Sequence, residues 1–326
     1  MNLSSRLLVV ASLLAAGFAS AQAVYPSRPI VMIVPQAAGG TNDIVGRLVS
    51  QKLGEVMGVA AVVENRPGAG GNIGTQVAAK AAKDGYTLLM TISSSQAINP
   101  ALYKSPGFDP VKDFKPVSLI GAVPNVLLVN PSFPAKSVAE LLVLARAKPG
   151  QYQYASAGNG TLNHLLGEML NSMAGINLQH VPYKGVAPAI NDVLAGQLPM
   201  VFASLPSSLA QIKAGKLRAL AVSGPSRSPL LPDVPTLAET VPGYNGTLWI
   251  GLFAPVGLPA NVLARLNAGM ARTLASKDLR DKLELQGVEL AGTPEQPVSP
   301  EQFAALLNDD LQKWARIVKT SGAAVD

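Results

Sequence analysis

The order of apolar and polar stretches along the chain predicts strands that alternate with amphipathic helices. Residues 30–34 form an uninterrupted apolar run, which is typical of a strand buried on both faces. A polar turn at 35–42 follows, and apolar residues then recur at helical spacing over 43–57. The succession continues with predicted strands at 60–64 and 86–90 and a predicted helix at 73–82. This βαβαβ order implies a parallel sheet with helices on its faces.

A second α/β unit follows along the chain. Its predicted strands lie at 126–129, 152–155, 179–182, 200–203 and 219–222, and its predicted helices at 138–147, 162–174, 187–195 and 209–214. Five prolines then punctuate residues 225–242, which indicates a surface connection. A predicted strand at 248–253 and two predicted helices at 260–275 and 301–319 close the chain.

These patterns predict an α/β protein with two lobes, each a mainly parallel sheet flanked by helices. The segments 117–130 and 245–254 are the natural crossings between the lobes. We expect lobe 1 to comprise 24–123 plus 247–326, and lobe 2 to comprise 124–246. Two connections between lobes permit a hinge, with a ligand in the cleft.

The first 23 residues have the pattern of an export signal. Arg6 supplies a positive charge, residues 7–18 form a short apolar segment, and small residues follow. We predict cleavage after Ala23, with Ala21 as the alternative site and an uncleaved anchor helix as the less favoured interpretation. No cysteine follows that could carry a lipid anchor.

Composition narrows the classes of function. Of the 326 residues, 48% are hydrophobic and 14% charged, which excludes a disordered chain. With no Cys and only two His, disulfides, Cys-ligated zinc and a multi-histidine metal centre are excluded. The net charge is +6, but the basic residues are scattered and aromatic residues do not interleave with them, so we expect no nucleic-acid partner. Such a charge favours small anions.

The turns between strands and helices carry the candidate chemistry. A helix N-terminus presents unpaired N–H groups and partial positive charge, and glycine lets an anion approach that backbone. Turns of this kind occur at 39–42 and 157–161, with further candidates at 70–72, 93–97 and 183–185. The candidate ligand-binding residues are therefore Gly39, Gly40, Thr41, Asn42, Asp43, Ser93, Ser94, Ala97, Ala157, Gly158, Asn159, Gly160, Thr161, Tyr183 and Lys184, with His164 in the helix that follows. Two opposed helix ends from two lobes would each hold a carboxylate.

The same residues admit several other interpretations. The segment 68–74 approximates a dinucleotide-binding fingerprint, but its third glycine is displaced. Ser156 and His164 could form the dyad of an exported hydrolase, although His164 lies well into the adjacent helix. His164 and Glu168 could share a metal, but a third ligand is missing. Asp43 could contact a ligand amine, or it could simply favour the helix dipole.

Longer motifs carry a resemblance to a known family. The sequence resembles the Bug-type periplasmic solute receptors of tripartite tricarboxylate transporters, from residue 25 nearly to the C-terminus. The matching motifs are YPSRP at 25–29, VENRPGAGGNIG at 63–74, DGYTL at 84–88, AINP at 97–100, DPVKDF at 109–114, YASAGNGT at 154–161, VPYKG at 181–185 and LLPDVPT at 230–236. Together these motifs are highly specific.

The resemblance implies a Venus-flytrap receptor in the periplasm that delivers a small organic acid to a membrane permease. It implies that the turns after the first strand and at 157–161 hold the ligand, often through water, and that Ala203 and Ser204 line another wall. Two departures bear on the ligand: Gln36 replaces a frequent aromatic residue, and Ala203 replaces an acidic or amide residue.

We expect a monomer that performs no catalysis and needs no cofactor or metal. The sequence leaves open which acid is bound, since mono- and dicarboxylates, aromatic acids and neutral amide-like compounds all fit. It also leaves open a receptor that docks a signalling partner instead of a permease.

Overall fold

The computed structural model of the chain describes residues 25–321. The predicted export signal at 1–23 and its cleavage sites lie outside the described residues. None of the helices between residues 25 and 321 is long and apolar enough to span a membrane.

Between residues 25 and 321 the chain forms ten strands. They are β1 (Ile30–Val34), β2 (Ala61–Asn65), β3 (Thr87–Ile92), β4 (Phe114–Val129), β5 (Gln153–Ser156), β6 (Gln179–Pro182), β7 (Met200–Ser204), β8 (Arg218–Val222), β9 (Thr247–Pro255) and β10 (Glu289–Leu290). These strands form one sheet in the order β2-β1-β3-β9-β4-β7-β5-β6, with β8 and β10 also paired to β4. Pairing is parallel among β1, β2 and β3 and among β5, β6 and β7, as the alternating pattern predicts.

In the described part of the chain, ten α-helices accompany the sheet. They are α1 (Thr41–Met57), α2 (Asn72–Ala79), α3 (Asn99–Leu102), α4 (Val138–Ala147), α5 (Leu162–Ala174), α6 (Val186–Leu194), α7 (Leu205–Lys213), α8 (Ala260–Ala275), α9 (Lys277–Leu285) and α10 (Pro300–Ser321). A π-helical turn, Ser94–Ile98, precedes α3, and short 3-10 turns lie at Ala69–Gly71 and Leu237–Glu239.

Strand β4 joins the two halves of the molecule. Its residues 114–124 pair antiparallel with β9, whereas residues 125–129 pair antiparallel with β7 and β8. The two predicted crossings are therefore neighbouring strands, and each half is a parallel group of strands extended by antiparallel ones. We call the half built on β1, β2, β3 and β9 the first lobe, and the half built on β5, β6, β7 and β8 the second.

Alternating side chains of β4 divide the core into two clusters. Leu127 and Val129 lie in the larger cluster, which extends through both lobes. Val126 and Leu128 point to the other face and lie in a cluster confined to the second lobe. Successive residues of a strand point to opposite faces, so one apolar run serves both clusters.

The structure also corrects several element boundaries. Helix α1 begins at Thr41 rather than residue 43, and α7 begins at Leu205 rather than residue 209. Helix α9 was not predicted, because its mostly charged sequence buries only Leu279 and Leu283. Strand β4 is much longer than the predicted 126–129. Its first half was not predicted as a strand because it contains polar residues and a proline.

Candidate functional site

The first glycine turn leads from β1 directly into α1. Helix α1 follows Gly40, and no side chain caps its N-terminus. The first turn of the helix contains Thr41, Asn42 and Asp43, all buried. Because the first N–H groups of a helix have no partner within it, this end can accept an anion.

The second turn joins β5 to α5 and is fixed from within. The Gly158 amide donates to Ser156 Oγ at 3.0 Å, and the Thr161 hydroxyl donates to the Gly158 carbonyl at 2.7 Å. The Thr161 hydroxyl also accepts from the His164 amide and caps α5. Gly158 and Gly160 have φ angles of +130° and +77°, a region that other residues rarely adopt.

The two lobes meet at these turns. The Thr41 and Ser204 hydroxyls hydrogen-bond across the boundary. Ser94 Oγ of the first lobe accepts the Leu162 amide at the start of α5, at 2.9 Å. A Cβ atom added at Gly160 would lie 2.0 Å from Leu102 Cδ2 of the first lobe. These contacts describe a closed arrangement of the lobes.

Polar side chains form a series of hydrogen bonds along the boundary between the lobes. Gln36 links Asn42 and Ser95, Ser94 holds the Leu162 amide, and Asn163 donates to Asn125 Oδ1 at 2.7 Å. Asn125 pairs in register with Ser204, whose hydroxyl returns to Thr41. We call this set the polar ring: Gln36, Thr41, Asn42, Ser94, Ser95, Asn125, Asn163 and Ser204.

The polar ring contains no charged side chain. Asp43 adjoins it, but its oxygens accept from the Gly39 amide, Arg47 and Asn65. Burial alone would raise the pKa of Asp43, but these hydrogen bonds and the Arg47 charge outweigh it and hold the pKa below its ordinary value. Asp43 is thus a fixed carboxylate that positions the turn, and Arg47 forms an ion pair with Asp43.

Several buried polar atoms at this site have no hydrogen-bond partner among the described residues. They are Asn42 Oδ1, Ser93 Oγ, both amide atoms of Gln96, and Asn125 Nδ2. Asn42, Ser93, Gln96 and Asn125 are each at most 1% exposed. Burying such groups unpaired is costly, so their concentration here indicates a place where ligand or water completes the hydrogen bonding.

The only two histidines of the chain stack behind the second turn. Their ring centroids are 3.9 Å apart, and the rings are inclined by 17°. His164 Nδ1 accepts the Gly160 amide at 3.2 Å, so neutral His164 carries its proton on Nε2. Burial lowers the pKa of both imidazoles, that of His180 to about 3 with help from neighbouring His164. His164 therefore supports the turn from behind.

The predicted alternative pairing of Ser156 with His164 is wrong. Ser156 Oγ lies 2.6 Å from His180 Nε2, whereas His164 is engaged with Gly160. Ser156 is fully buried, and an imidazole with a pKa near 3 is a weak base at neutral pH.

The predicted alternative of a shared metal concerns His164 and Glu168. His164 Nε2 lies 3.9 Å from Glu168 Oε1, and the described residues contain no group of three side chains suited to a metal.

Other predicted residues lie around this site in different ways. Ala97 and Ala203 differ from expectation, because their side chains pack into the two core clusters rather than the ring. Tyr183 donates to Asp192, and Lys184 is exposed beside it. Asn125 and Asn163 were missed: a single asparagine in a strand or helix carries no distinctive pattern in the sequence.

Two α/β lobes that are joined by paired crossing strands and meet at a polar boundary have the fold of the periplasmic binding proteins. Residues 45–323 match the model of the tripartite tricarboxylate transporter family receptor. The chain belongs to this family.

Individual relatives cover nearly the whole chain. Protein BugT of Bordetella pertussis is 37% identical over 99% of each chain. An adipate-bound structure from R. palustris is similar, with a TM-score of 0.87, 36% identity, and coverage of 92% of this chain and 99% of the other. MatC from Rhodopseudomonas palustris with bound malate has a TM-score of 0.84, 32% identity, and coverage of 90% and 100%.

Proposed function

We propose that this protein is a periplasmic receptor that captures a small organic acid between its lobes and delivers it to a tripartite tricarboxylate permease. The observation that carries the proposal is that both turns lie at the boundary between the lobes. Thr41, at the start of α1, contacts Ser204, and the Leu162 amide, directly after the 157–161 turn, donates to Ser94. Two related structures hold adipate and malate, which supports a carboxylate as the ligand class.

The acid would bind through neutral donors. The uncapped amides at the start of α1 offer partial positive charge from one side. In the 157–161 turn the Gly158 and Gly160 amides already donate to Ser156 Oγ and His164 Nδ1. The Ala157 and Asn159 amides would therefore meet the acid from the other side. A site of neutral donors avoids the desolvation cost of a buried cation, which suits a receptor that must release its ligand. The unpartnered atoms of Asn42, Gln96 and Asn125 would receive the remaining polar groups of the ligand or bridging water.

Binding would favour the closed arrangement. A ligand that contacts both lobes shifts the population toward closure, and the permease would recognise the closed surface.

The monomeric state stays a prediction. A hydrolase role is not favoured, because Ser156 is fully buried and the pKa of its partner His180 is lowered to about 3. A signalling partner remains the alternative to a permease.

A ligand screen tests the proposal. Thermal unfolding is measured with a panel of mono- and dicarboxylic acids, including adipate and malate, and the acid with the largest shift is titrated by calorimetry beside its amide. We expect the acid to bind at least about tenfold more tightly than the amide, because only the acid complements the helix N-terminus. If no acid raises the unfolding temperature, or acid and amide bind equally, the proposal fails.

A Ser→Ala pair localises the binding. Ser94→Ala removes the acceptor of the Leu162 amide and should weaken binding of the same acid about tenfold. Ser132→Ala, at an exposed serine remote from the ring, should leave it unchanged.

A further inference from the structure

A groove lies between the proline-rich segment of the second lobe and the C-terminal part of the first. Its volume is about 540 Å³, and its apolar lining includes Leu230, Leu285, Val288 and Leu290. Leu230 packs on the cluster confined to the second lobe, whereas Val288 and Leu290 belong with the larger cluster. We call this the hinge-side groove, because β10 beside it pairs with Gly121 and Ala122 of the crossing strand β4.

Leu285 lies at the edge of this groove. Its side chain is 64% exposed, and other large apolar side chains of the surface, such as Val143 at 65%, are exposed to the same extent. Because single exposed apolar side chains are common on protein surfaces, it is the apolar groove beside Leu285 that indicates an interaction site.

The charge of the groove indicates what kind of partner fits it. Asp281, Glu284 and Glu289 line it, and no Lys or Arg does so in the described part of the chain. Asp281 is paired with Lys277 at 2.7 Å, so Glu284 and Glu289 give the groove its acidic character. Burial raises the pKa of Glu289, so a cation from a partner would relieve the desolvation of its carboxylate. The chain as a whole carries +6, so this acidic rim is a local departure from its net charge.

The groove is also connected to the ligand site. A Cβ atom at Gly287 would lie 2.8 Å from Leu205 Cδ2 and 3.5 Å from Leu230 Cδ1. Leu205 directly follows Ser204, which contacts Thr41 in the polar ring. Because its two walls belong to different lobes, the shape of the groove depends on how the lobes are arranged, and a partner seated there would distinguish closed from open receptor.

We propose that the hinge-side groove docks a periplasmic segment of the permease in which a bulky apolar side chain is flanked by Lys or Arg. This inference rests on the proposed delivery to a permease. The apolar side chain would insert beside Leu285 and Leu230, and the basic residues would face Glu284 and Glu289.

The test uses the full mature receptor and a tripartite tricarboxylate permease from the same bacterium, reconstituted in nanodiscs. Surface plasmon resonance measures their affinity for wild type, Leu285→Ser and the double variant Glu284→Gln/Glu289→Gln. We expect each variant to bind at least about tenfold more weakly, and the double variant to lose most of its salt dependence. Val143→Ser, at a side chain 65% exposed on α4, and Asp309→Asn on α10 are the matched controls and should bind like wild type.

The outcomes separate the two proposals. If wild type docks and the groove variants dock equally well, the groove inference is overturned while the delivery function stands. If wild type does not dock, delivery itself fails and the inference falls with it. If sedimentation shows a wild-type dimer that Leu285→Ser converts to a monomer, the occupant is a second copy and the inference is wrong.

Discussion

At the residue scale, Gly160 is a position where an added side chain would contact the opposite lobe in the closed arrangement. Its φ of +77° is tolerated by glycine, and an added Cβ would meet Leu102 of the opposite lobe at 2.0 Å. Gly160→Ala should therefore weaken ligand affinity by about tenfold, because the buried Leu102 side chain must shift before the lobes can close. Calorimetry with the best-binding acid measures the effect.

Gly175→Ala is the matched control for this change. Gly175 also has a left-handed φ, +61°, but no atom lies within 4 Å of an added Cβ. Both variants should lose about 1 kcal/mol of stability from backbone strain, and only Gly160→Ala should lose affinity. Equal affinities in the two variants would contradict a role for Gly160 in closure.

The stacked histidines give the stability a pH dependence. In the folded state the pKa of His180 is lowered to about 3, whereas an unfolded histidine has a pKa of about 6.5. The unfolded chain therefore binds more protons between these values, and the free energy of unfolding falls as the pH drops from about 6.5 toward 3. Above pH 6.5 the contribution is fully present.

His180→Gln should reduce this acid sensitivity. Urea unfolding followed by tryptophan fluorescence at pH 7.5, 5.5 and 4.5 should show a smaller loss of stability for the variant than for wild type. Parallel loss in both proteins would mean that His180 does not titrate in this way.

At the element scale, the sequence predicts most helices and strands because their apolar periodicity is strong. Helices α4, α5 and α8 have the predicted bounds, and β6 does also. The turn at 94–98 could not be predicted as π-helical, because Ser94, Ser95 and Gln96 are polar yet buried. Long-range packing, including that of α10 against this turn, determines its form.

Helix α10 is attached to β9 by a side-chain hydrogen bond. Trp249 Nε1 donates to Asp310 at 2.6 Å, and the Asp310 side chain is 13% exposed. Trp249→Phe should cost about 1–3 kcal/mol of stability, because the carboxylate loses its donor in a largely buried place. Urea unfolding measures the loss. Asp310→Asn retains an acceptor and should cost less; the reverse order would contradict the assignment.

At the scale of the whole molecule, the order of strands and helices along the sequence predicts two lobes, but it does not predict how the two lobes are joined. The predicted crossings at 117–130 and 245–254 are present, and their direct pairing as β4 and β9 depends on contacts remote in sequence. The two glycine turns could be predicted because each is a local sequence pattern. Asn125 and Asn163 could not be predicted, because their contact joins segments that are remote in sequence. The lobe boundaries stay a prediction.

In the proposed receptor, backbone amides of both lobes hold one carboxylate-bearing ligand together. A crystal structure of the mature protein with the acid that gives the largest thermal shift tests this arrangement. We expect oxygens of the acid to lie within about 3.2 Å of amides at the α1 N-terminus and in the 157–161 turn, in a closed molecule. An acid bound outside the polar ring, or held by one lobe alone with the lobes closed, would contradict it.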